Sequence, residues 1–168
     1  MAYYQTQPQS PKTILKTLPI IHIALLLGQV LFCIVVFTTQ KQTPKFNIST
    51  TADPFLFVVP VMAIASFATS NFLFRQQLTI AAGKPTVAQK IQSYQAASIV
   101  RFALLEGASL FGIVTYLLTG NLLFISISGL IILYFIFIRP TKDKIVSDLN
   151  LDYQEVAALD SDDTTVQY

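Results

Sequence analysis

The chain has 168 residues, of which 53% are hydrophobic and 12% are charged, and its formal net charge is +2. Because soluble domains carry about 25% charged residues, this composition indicates a membrane protein. The 11 Lys and Arg residues are dispersed along the chain, which argues against a nucleic-acid-binding surface. The single cysteine, Cys33, lies in an apolar run, so we expect neither an internal disulfide nor a structural zinc site.

Four apolar segments dominate the sequence. A helix that crosses about 30 Å of hydrocarbon needs about 20 apolar residues, and such segments occur at about 17–38, 54–74, 96–118 and 121–138. The first is longer than the roughly 7–15-residue core of a signal peptide and is followed by no A-x-A-like cleavage site. We therefore predict an all-α, polytopic membrane protein with a four-transmembrane-helix bundle over 17–138.

The connections between these segments differ in length. Only Thr119-Gly120-Asn121 separates the third and fourth segments, which predicts a tight antiparallel hairpin. The second and third are joined by a polar stretch whose residues 86–95 have a helical pattern, so the third helix is expected to begin before it enters the membrane. Pro19 is predicted in the opening turn of the first helix, and Pro60 is predicted to kink the second.

Basic residues near the predicted spans are unevenly distributed between the two sides. By the positive-inside tendency, the N-terminal segment 1–16 and the C-terminal tail 139–168 are both expected to be cytoplasmic. Eight basic residues lie on that side and two on the other: Lys12, Lys16, Arg75, Lys84, Lys90, Arg139, Lys142 and Lys144, against Lys41 and Lys45.

In the tail we predict two short amphipathic helices. Asp152 and Glu155 have the spacing of a capping box at the start of the second helix. Residues 141–157 have two interpretations, a docking element for a protein partner or a solvated end of the chain. The apolar positions of the first helix share one face that would lie on the membrane surface or on the inner loops, namely Ile145, Val146 and Leu149.

Glu106 and Arg101 are the only charged residues inside a predicted span. If the third helix enters the hydrocarbon near Ala97, Glu106 lies about 14 Å deep and must be protonated, paired, or facing water or protein. It is then either a proton or cation site or a hydrogen-bond anchor between helices. Arg101 lies about 140° around the helix from Glu106, so we expect its guanidinium to reach the headgroups along its apolar stem, with interhelical pairing as the alternative.

Matching residues by depth predicts a polar seam inside the bundle. One layer contains Glu106, Gln29, Ser66 and Ser109, and a second contains His22, Ser70, Asn71 and Arg101. His22 and Gln29 are seven residues apart and share one face of the first helix. His22 is interpreted either as a packing residue or as a proton relay. The fourth helix is expected to contribute mainly lipid-facing bulk.

Small residues four positions apart occur on three of the segments. Such pairs let helix backbones approach closely, either within the chain or between copies. The pairs are Ala24 with Gly28, Ala65 with Thr69, Ala103 with Gly107, and Ala108 with Gly112.

Motifs of soluble active sites are missing from the sequence, which has no G-x-G-x-x-G, P-loop, H-E-x-x-H or nucleophile elbow. We therefore expect a protein that is not an enzyme, with no catalytic residues, no metal and no cofactor.

Residues 101–114, R-F-A-L-L-E-G-A-S-L-F-G-I-V, resemble the carboxylate-bearing helix of rotor-ring proteolipids, the c-type subunits of rotary ATPases. In that family a polar loop containing Arg-Gln precedes the helix, and Arg75-Gln76 is similarly placed, so the likeness covers about residues 55–118. The resemblance implies that Glu106 is an ion-binding carboxylate. The chain departs from the family in lacking the repeated glycines of the preceding helix and in carrying its acid on the third of four helices.

The overall layout, with R-P-T-K after the last span, also looks like that of small bacterial four-helix membrane proteins. This likeness favours the bacterial inner (cytoplasmic) membrane as the location. Our leading hypothesis is a small accessory or structural subunit of a larger membrane assembly, as a homo-oligomer or with other membrane subunits in the lipid bilayer. The alternative is an oligomeric channel or transporter component, linked to protons or cations, that uses Glu106.

Overall fold

A computed structural model describes residues 10–48 and 53–160 of the chain. These residues form helices and turns with one isolated backbone bridge, between Lys45 and Asn121, so the all-α prediction is confirmed for the described part of the chain. Residues 1–9 and 161–168, within the predicted terminal segments, lie outside it. The helices are α1 (Pro11–Thr39), α2 (Phe55–Ala82), α3 (Val87–Thr119), α4 (Leu122–Phe137), α5 (Lys142–Asp148) and α6 (Tyr153–Asp160).

Three of these helices, α1, α2 and α3, are long and apolar enough to cross a membrane. Helix α4 has 16 residues and would extend about 24 Å. It meets the same test only when joined to α5, which is bent from it by 85°. The described helices therefore indicate three membrane spans, or four if α4 and α5 are counted as one. Side chains such as Phe57 and Ile64, 75% and 69% exposed on α2, are suited to lipid contact.

Helix α1 begins earlier than predicted, at Pro11 instead of near residue 17. Ser10 caps it, since the Ser10 side chain accepts a hydrogen bond from the Thr13 amide at 3.3 Å, and Pro11 occupies the first turn. Pro19 consequently lies inside the helix, so its predicted place in the opening turn is wrong.

The polar stretch between the second and third segments is mostly helical. Helix α2 continues through Arg75 to Ala82, and α3 starts at Val87 after the N-cap Thr86, whose hydroxyl accepts from the Gln89 amide at 3.3 Å. The predicted helix over 86–95 is therefore confirmed. Both helices extend beyond their apolar segments, and only a short turn joins them.

Helix α3 is the centre of the fold. It packs against α1, α2 and α4, whereas α1 and α2 have little contact with each other. Helix α1 runs parallel to α3, because His22 contacts Phe102 near the middle of both helices and Phe37 contacts Tyr116 near their C-terminal ends. The outer helices are thus held through α3 and scarcely by each other.

The α3–α4 connection is a tight antiparallel hairpin, as predicted. Gly120 has φ of 69°, in the left-handed region that favours glycine, and the Asn121 side chain caps α4 by accepting from the Leu123 amide at 3.1 Å. The segment after α1 covers this turn. The Lys45 amide donates to the Gly120 carbonyl at 3.0 Å, and the Leu122 amide donates to the Lys45 carbonyl at 2.9 Å.

The tail folds back onto the opposite end of the helices. Tyr94 of α3 donates a hydrogen bond to the Asp148 carboxylate at 3.1 Å, and Lys90 forms an ion pair with Glu155. The capping box is confirmed, because the Glu155 amide donates to Asp152 and the Asp152 amide donates to Glu155, at 2.7 and 3.1 Å. The apolar face of α5 packs in the chain's own core, where Ile145 is 1% exposed. Both ends of the described chain therefore lie at one end of the helices.

Candidate functional site

The interface of α1, α3 and α4 has three buried layers. Each helix contributes residues seven positions apart, a spacing that returns to nearly the same face of a helix. Each residue in the layers is at most 2% exposed. They are His22, Gln29 and Val36 on α1, Phe102, Ser109 and Tyr116 on α3, and Ser128 and Phe135 on α4 together with its N-cap Asn121. Three residues of the predicted polar seam, His22, Gln29 and Ser109, therefore lie inside the fold.

His22 occupies the first layer, nearest the folded-back tail. Its ring stacks on Phe135 with centroids 4.5 Å apart and meets the edge of Phe102 at 5.0 Å. Its Nε2 lies 2.8 Å from the Phe135 carbonyl oxygen, and because a carbonyl only accepts, Nε2 carries the donated proton. Nδ1 is buried without a hydrogen-bond partner among the described residues. These are the contacts of a packing residue that links α1 to α4.

Gln29 and Ser109 form the middle layer with Ser128. Gln29 is 0% exposed, and neither its Oε1 nor its Nε2 has a partner among the described residues. The Ser109 hydroxyl is also unpaired there. Ser128 Oγ lies 2.9 Å from the Ser109 carbonyl and 3.1 Å from the Phe124 carbonyl. The layer is close-packed at Gly112, where an added Cβ would lie 2.2 Å from Ser128 Oγ.

Arg101 lies where α2, α3 and α4 meet. Its Nη2 donates to Asn71 Oδ1 and to the Tyr134 hydroxyl, each at 2.7 Å, and that hydroxyl donates to Asn71 Oδ1 at 2.7 Å. The guanidinium carbon is 4.5 Å from the centroid of the Phe74 ring. Asn71 Nδ2 donates to the Phe67 carbonyl at 2.8 Å, which fixes the amide so that its oxygen faces Arg101.

In this arrangement the Arg101 guanidinium is held by partners on α2 and α4. Acceptors on two neighbouring helices and an aromatic face are within its reach, and a planar guanidinium can use both together. The interhelical alternative is therefore what the structure has. Two residues of the second predicted layer, Arg101 and Asn71, form a hydrogen bond with each other. The other two lie elsewhere: the Ser70 hydroxyl donates to the Phe67 carbonyl of its own helix, and His22 lies in the α1–α3–α4 interface.

Glu106 is half-buried on α3 and forms no hydrogen bond or ion pair with any residue that the structure describes. Ser66 on α2 is likewise half-buried and has no hydrogen bond within the described ranges. The predicted layer of Gln29, Ser66, Glu106 and Ser109 is thus only partly assembled. Matching by depth ignores direction around the axis, and Glu106 points about 60° away from Ser109.

Helix α4 contributes buried contacts in addition to the lipid-facing bulk that the sequence predicted. Helix α4 supplies Ser128 to the middle layer, Tyr134 to the Arg101 cluster and the carbonyl of Phe135 to His22. Sequence reasoning missed all three. The seven-residue spacing of Asn121, Ser128 and Phe135 was a signal that could have identified the buried face, although Leu130, 67% exposed, does face outward.

The described residues contain no group of three or more His, Cys, Asp and Glu side chains that could hold a metal ion. A shallow surface depression of about 410 Å³ lies at the start of α3, beside Lys84 and Gln89, away from the buried layers. No family model, curated protein or solved structure matches the chain.

Proposed function

We propose that this protein is a small, non-enzymatic subunit of a larger membrane assembly, and that an uncovered face of α3 contacts a transmembrane helix of another chain. The observation that carries the proposal is Glu106, a half-buried carboxyl without a partner among the described residues. At the depth of a membrane span, an isolated carboxylate costs several kcal/mol. A neighbouring chain would supply the hydrogen-bond donor that this chain does not.

The surroundings of Glu106 support this proposal. Ala103, Gly107 and Val114 are exposed along one side of α3, and α1 and α2 have little contact with each other. We call Ala103, Glu106, Gly107 and Val114 the open face of α3. A Cβ added at Gly107 would meet nothing within 4 Å. Small residues beside a polar group are the features through which membrane helices associate, because they allow close backbone approach and an interhelical hydrogen bond.

The proposal includes four membrane spans, with α4 as the fourth and both chain ends in the cytoplasm. The excess of basic residues at the end of the fold that holds α5 and α6 supports this orientation. The proposed location is a bacterial inner membrane. Under this proposal the exposed residues of 141–157, such as Tyr153, which is 90% exposed, are available to a cytoplasmic partner.

The experiment compares the same substitution at two glycines that have similar exposure but lie on different helices. Gly107 on α3 and Gly129 on α4 are both exposed, and in both an added Cβ meets nothing within 4 Å. Gly107→Leu should reduce the assembly extracted in mild detergent to the single chain, whereas Gly129→Leu should leave its size unchanged. Size would be measured by light scattering after gel filtration. A single-chain wild type, or two variants that both assemble, would contradict the proposal.

The alternative function, an oligomeric proton- or cation-linked component, uses the same carboxyl, and its half-exposed position on an outer face favours this second candidate. Glu106→Gln distinguishes the two functions, because an amide keeps a hydrogen bond but cannot exchange a proton. If the variant assembles normally and vesicles containing it conduct protons and Na⁺ like wild type, the carboxyl is a structural anchor. If it assembles but loses wild-type conductance, and carbodiimide labels the wild-type Glu106 carboxyl in a pH-dependent way, the transport function is correct.

A further inference from the structure

The Arg101 cluster carries a positive charge that no described carboxylate neutralises. Two acids are candidates by proximity in sequence or space. Glu106 lies on a different sector of α3 and forms no ion pair with Arg101, and Asp148 binds the hydroxyl of Tyr94. The ring of Phe74 attracts the cation without cancelling its charge. Arg101 is partly buried, and a partly buried cation at the depth of a membrane span is stabilised by an anion.

The guanidinium also has donors to spare. An arginine side chain has five N–H groups, and the two on Nη2 are used by Asn71 and Tyr134. The Nε–H is buried without a partner, and the N–H groups of Nη1 have none among the described residues. Three donors on one fixed cation are therefore unmatched, although the protein holds the group rigidly from the other side.

We infer that Arg101 is the base of a binding site for a phosphate group, in the cleft between α2 and α4. These two helices contact each other only weakly, and the Asn71–Tyr134 hydrogen bond spans the cleft beside the guanidinium. A phosphate oxygen would accept from the N–H groups of Nη1, since the Nε–H is buried. It would also neutralise the charge, because guanidinium–phosphate pairs combine hydrogen bonding with opposite charge.

The position of the cluster favours a lipid headgroup over a dissolved ion as the source of the phosphate. Arg101 lies about 10 Å along α3 from Tyr94, where the polar tail packs, so the site is close to one edge of the apolar region. Arg75 is exposed one turn beyond Asn71 on nearly the same side of α2, toward that edge. It would supply a second cation at the rim. The inference does not depend on the proposed assembly, which concerns another face of α3.

The test uses the full-length protein in detergent and native mass spectrometry of retained lipid. Phosphatidylglycerol is compared with diacylglycerol, which has the same tails and no phosphate. We expect wild type to retain phosphatidylglycerol at least about tenfold better, because hydrogen bonds between a guanidinium and a phosphate are strengthened by their opposite charges. Arg101→Gln should lose this preference, and Arg139→Gln, which removes an exposed arginine after α4, should keep it.

Arg101→Gln removes interhelical hydrogen bonds and can unfold the protein, so Arg75→Gln provides a second readout. Arg75 is exposed, and replacing it should weaken phosphatidylglycerol retention without changing the melting temperature. Inorganic phosphate is tested separately. If millimolar phosphate displaces the lipid, the site binds phosphate but its source is the dissolved ion. Equal retention of both lipids by wild type, or unchanged preference in both Arg101→Gln and Arg75→Gln, would overturn the inference.

Discussion

Replacing Gly112 with alanine should destabilise the contact between α3 and α4. The new methyl group would lie 2.2 Å from Ser128 Oγ and 3.2 Å from the Phe124 carbonyl oxygen. Rotation of Ser128 relieves the first contact but breaks its 2.9 Å hydrogen bond to the Ser109 carbonyl. The second contact is with backbone and requires a small shift of α4.

The magnitude follows from opposing contributions. Overpacking of this kind costs about 1–3 kcal/mol, and an interhelical hydrogen bond within a membrane is worth about 0.6 kcal/mol. Alanine in place of glycine regains up to about 1 kcal/mol of helix propensity. We expect Gly112→Ala to lower the free energy of unfolding by about 1–2 kcal/mol. Gly107→Ala, whose new methyl meets nothing within 4 Å, should be neutral or stabilising.

Unfolding in mixed micelles with increasing SDS measures these differences. Ser128→Ala removes the hydroxyl involved in the closest contact, so Gly112→Ala should cost less in that background than in wild type. The two changes should deviate from additivity by at least about 0.5 kcal/mol. If Gly112→Ala is as stable as Gly107→Ala, or if its cost is the same with and without Ser128, the close approach of α3 and α4 is wrong.

Further predictions concern a buried amide, a turn and a cap. Gln29→Met should raise the free energy of unfolding by about 1–3 kcal/mol, because an unpaired buried amide is replaced by an apolar side chain; a decrease would indicate that the amide has a partner. Gly120→Ala should lower the free energy of unfolding by at least about 1 kcal/mol, because φ is positive at this position and the new Cβ would lie 2.8 Å from Gln42 Cβ. An unchanged unfolding midpoint in SDS would contradict this prediction. Asp152→Ala should weaken the α6 cap by about 0.5–2 kcal/mol, measured as faster amide hydrogen exchange in α6 with α3 unaffected; equal exchange would refute the capping role.

Local signals in the sequence predicted the helices well. The Thr119-Gly120-Asn121 hairpin and the Asp152–Glu155 capping box depend on residues a few positions apart, and both are present. The early start of α1 has an equally local signal, the Ser10-Pro11 cap, but this cap precedes the apolar run and so does not show in hydropathy. Periodicity in four largely apolar segments gave little information about which side of each helix is buried.

The directions of polar side chains could not be predicted in the same way. Depth along a helix follows from residue number, but the partner at that depth depends on how helices are arranged around α3. Arg101 turns to Asn71 and Tyr134 because α2 and α4 flank that side of α3. Glu106 points elsewhere and has no described partner. Because the sequence does not specify which helices lie beside each face of α3, it cannot show that Arg101 has interhelical partners while Glu106 has none among the described residues.

The central position of α3 has a consequence for the order of assembly during synthesis. The ribosome produces α1 and α2 first, and these two helices have little contact with each other in the folded protein. Their contacts, including those of His22 with Phe102 and of Phe74 with Tyr94, become available only when α3 emerges. Helices α1 and α2 therefore remain separate until α3 has been synthesised. A nascent chain truncated before residue 87 should lack most native interhelical contacts.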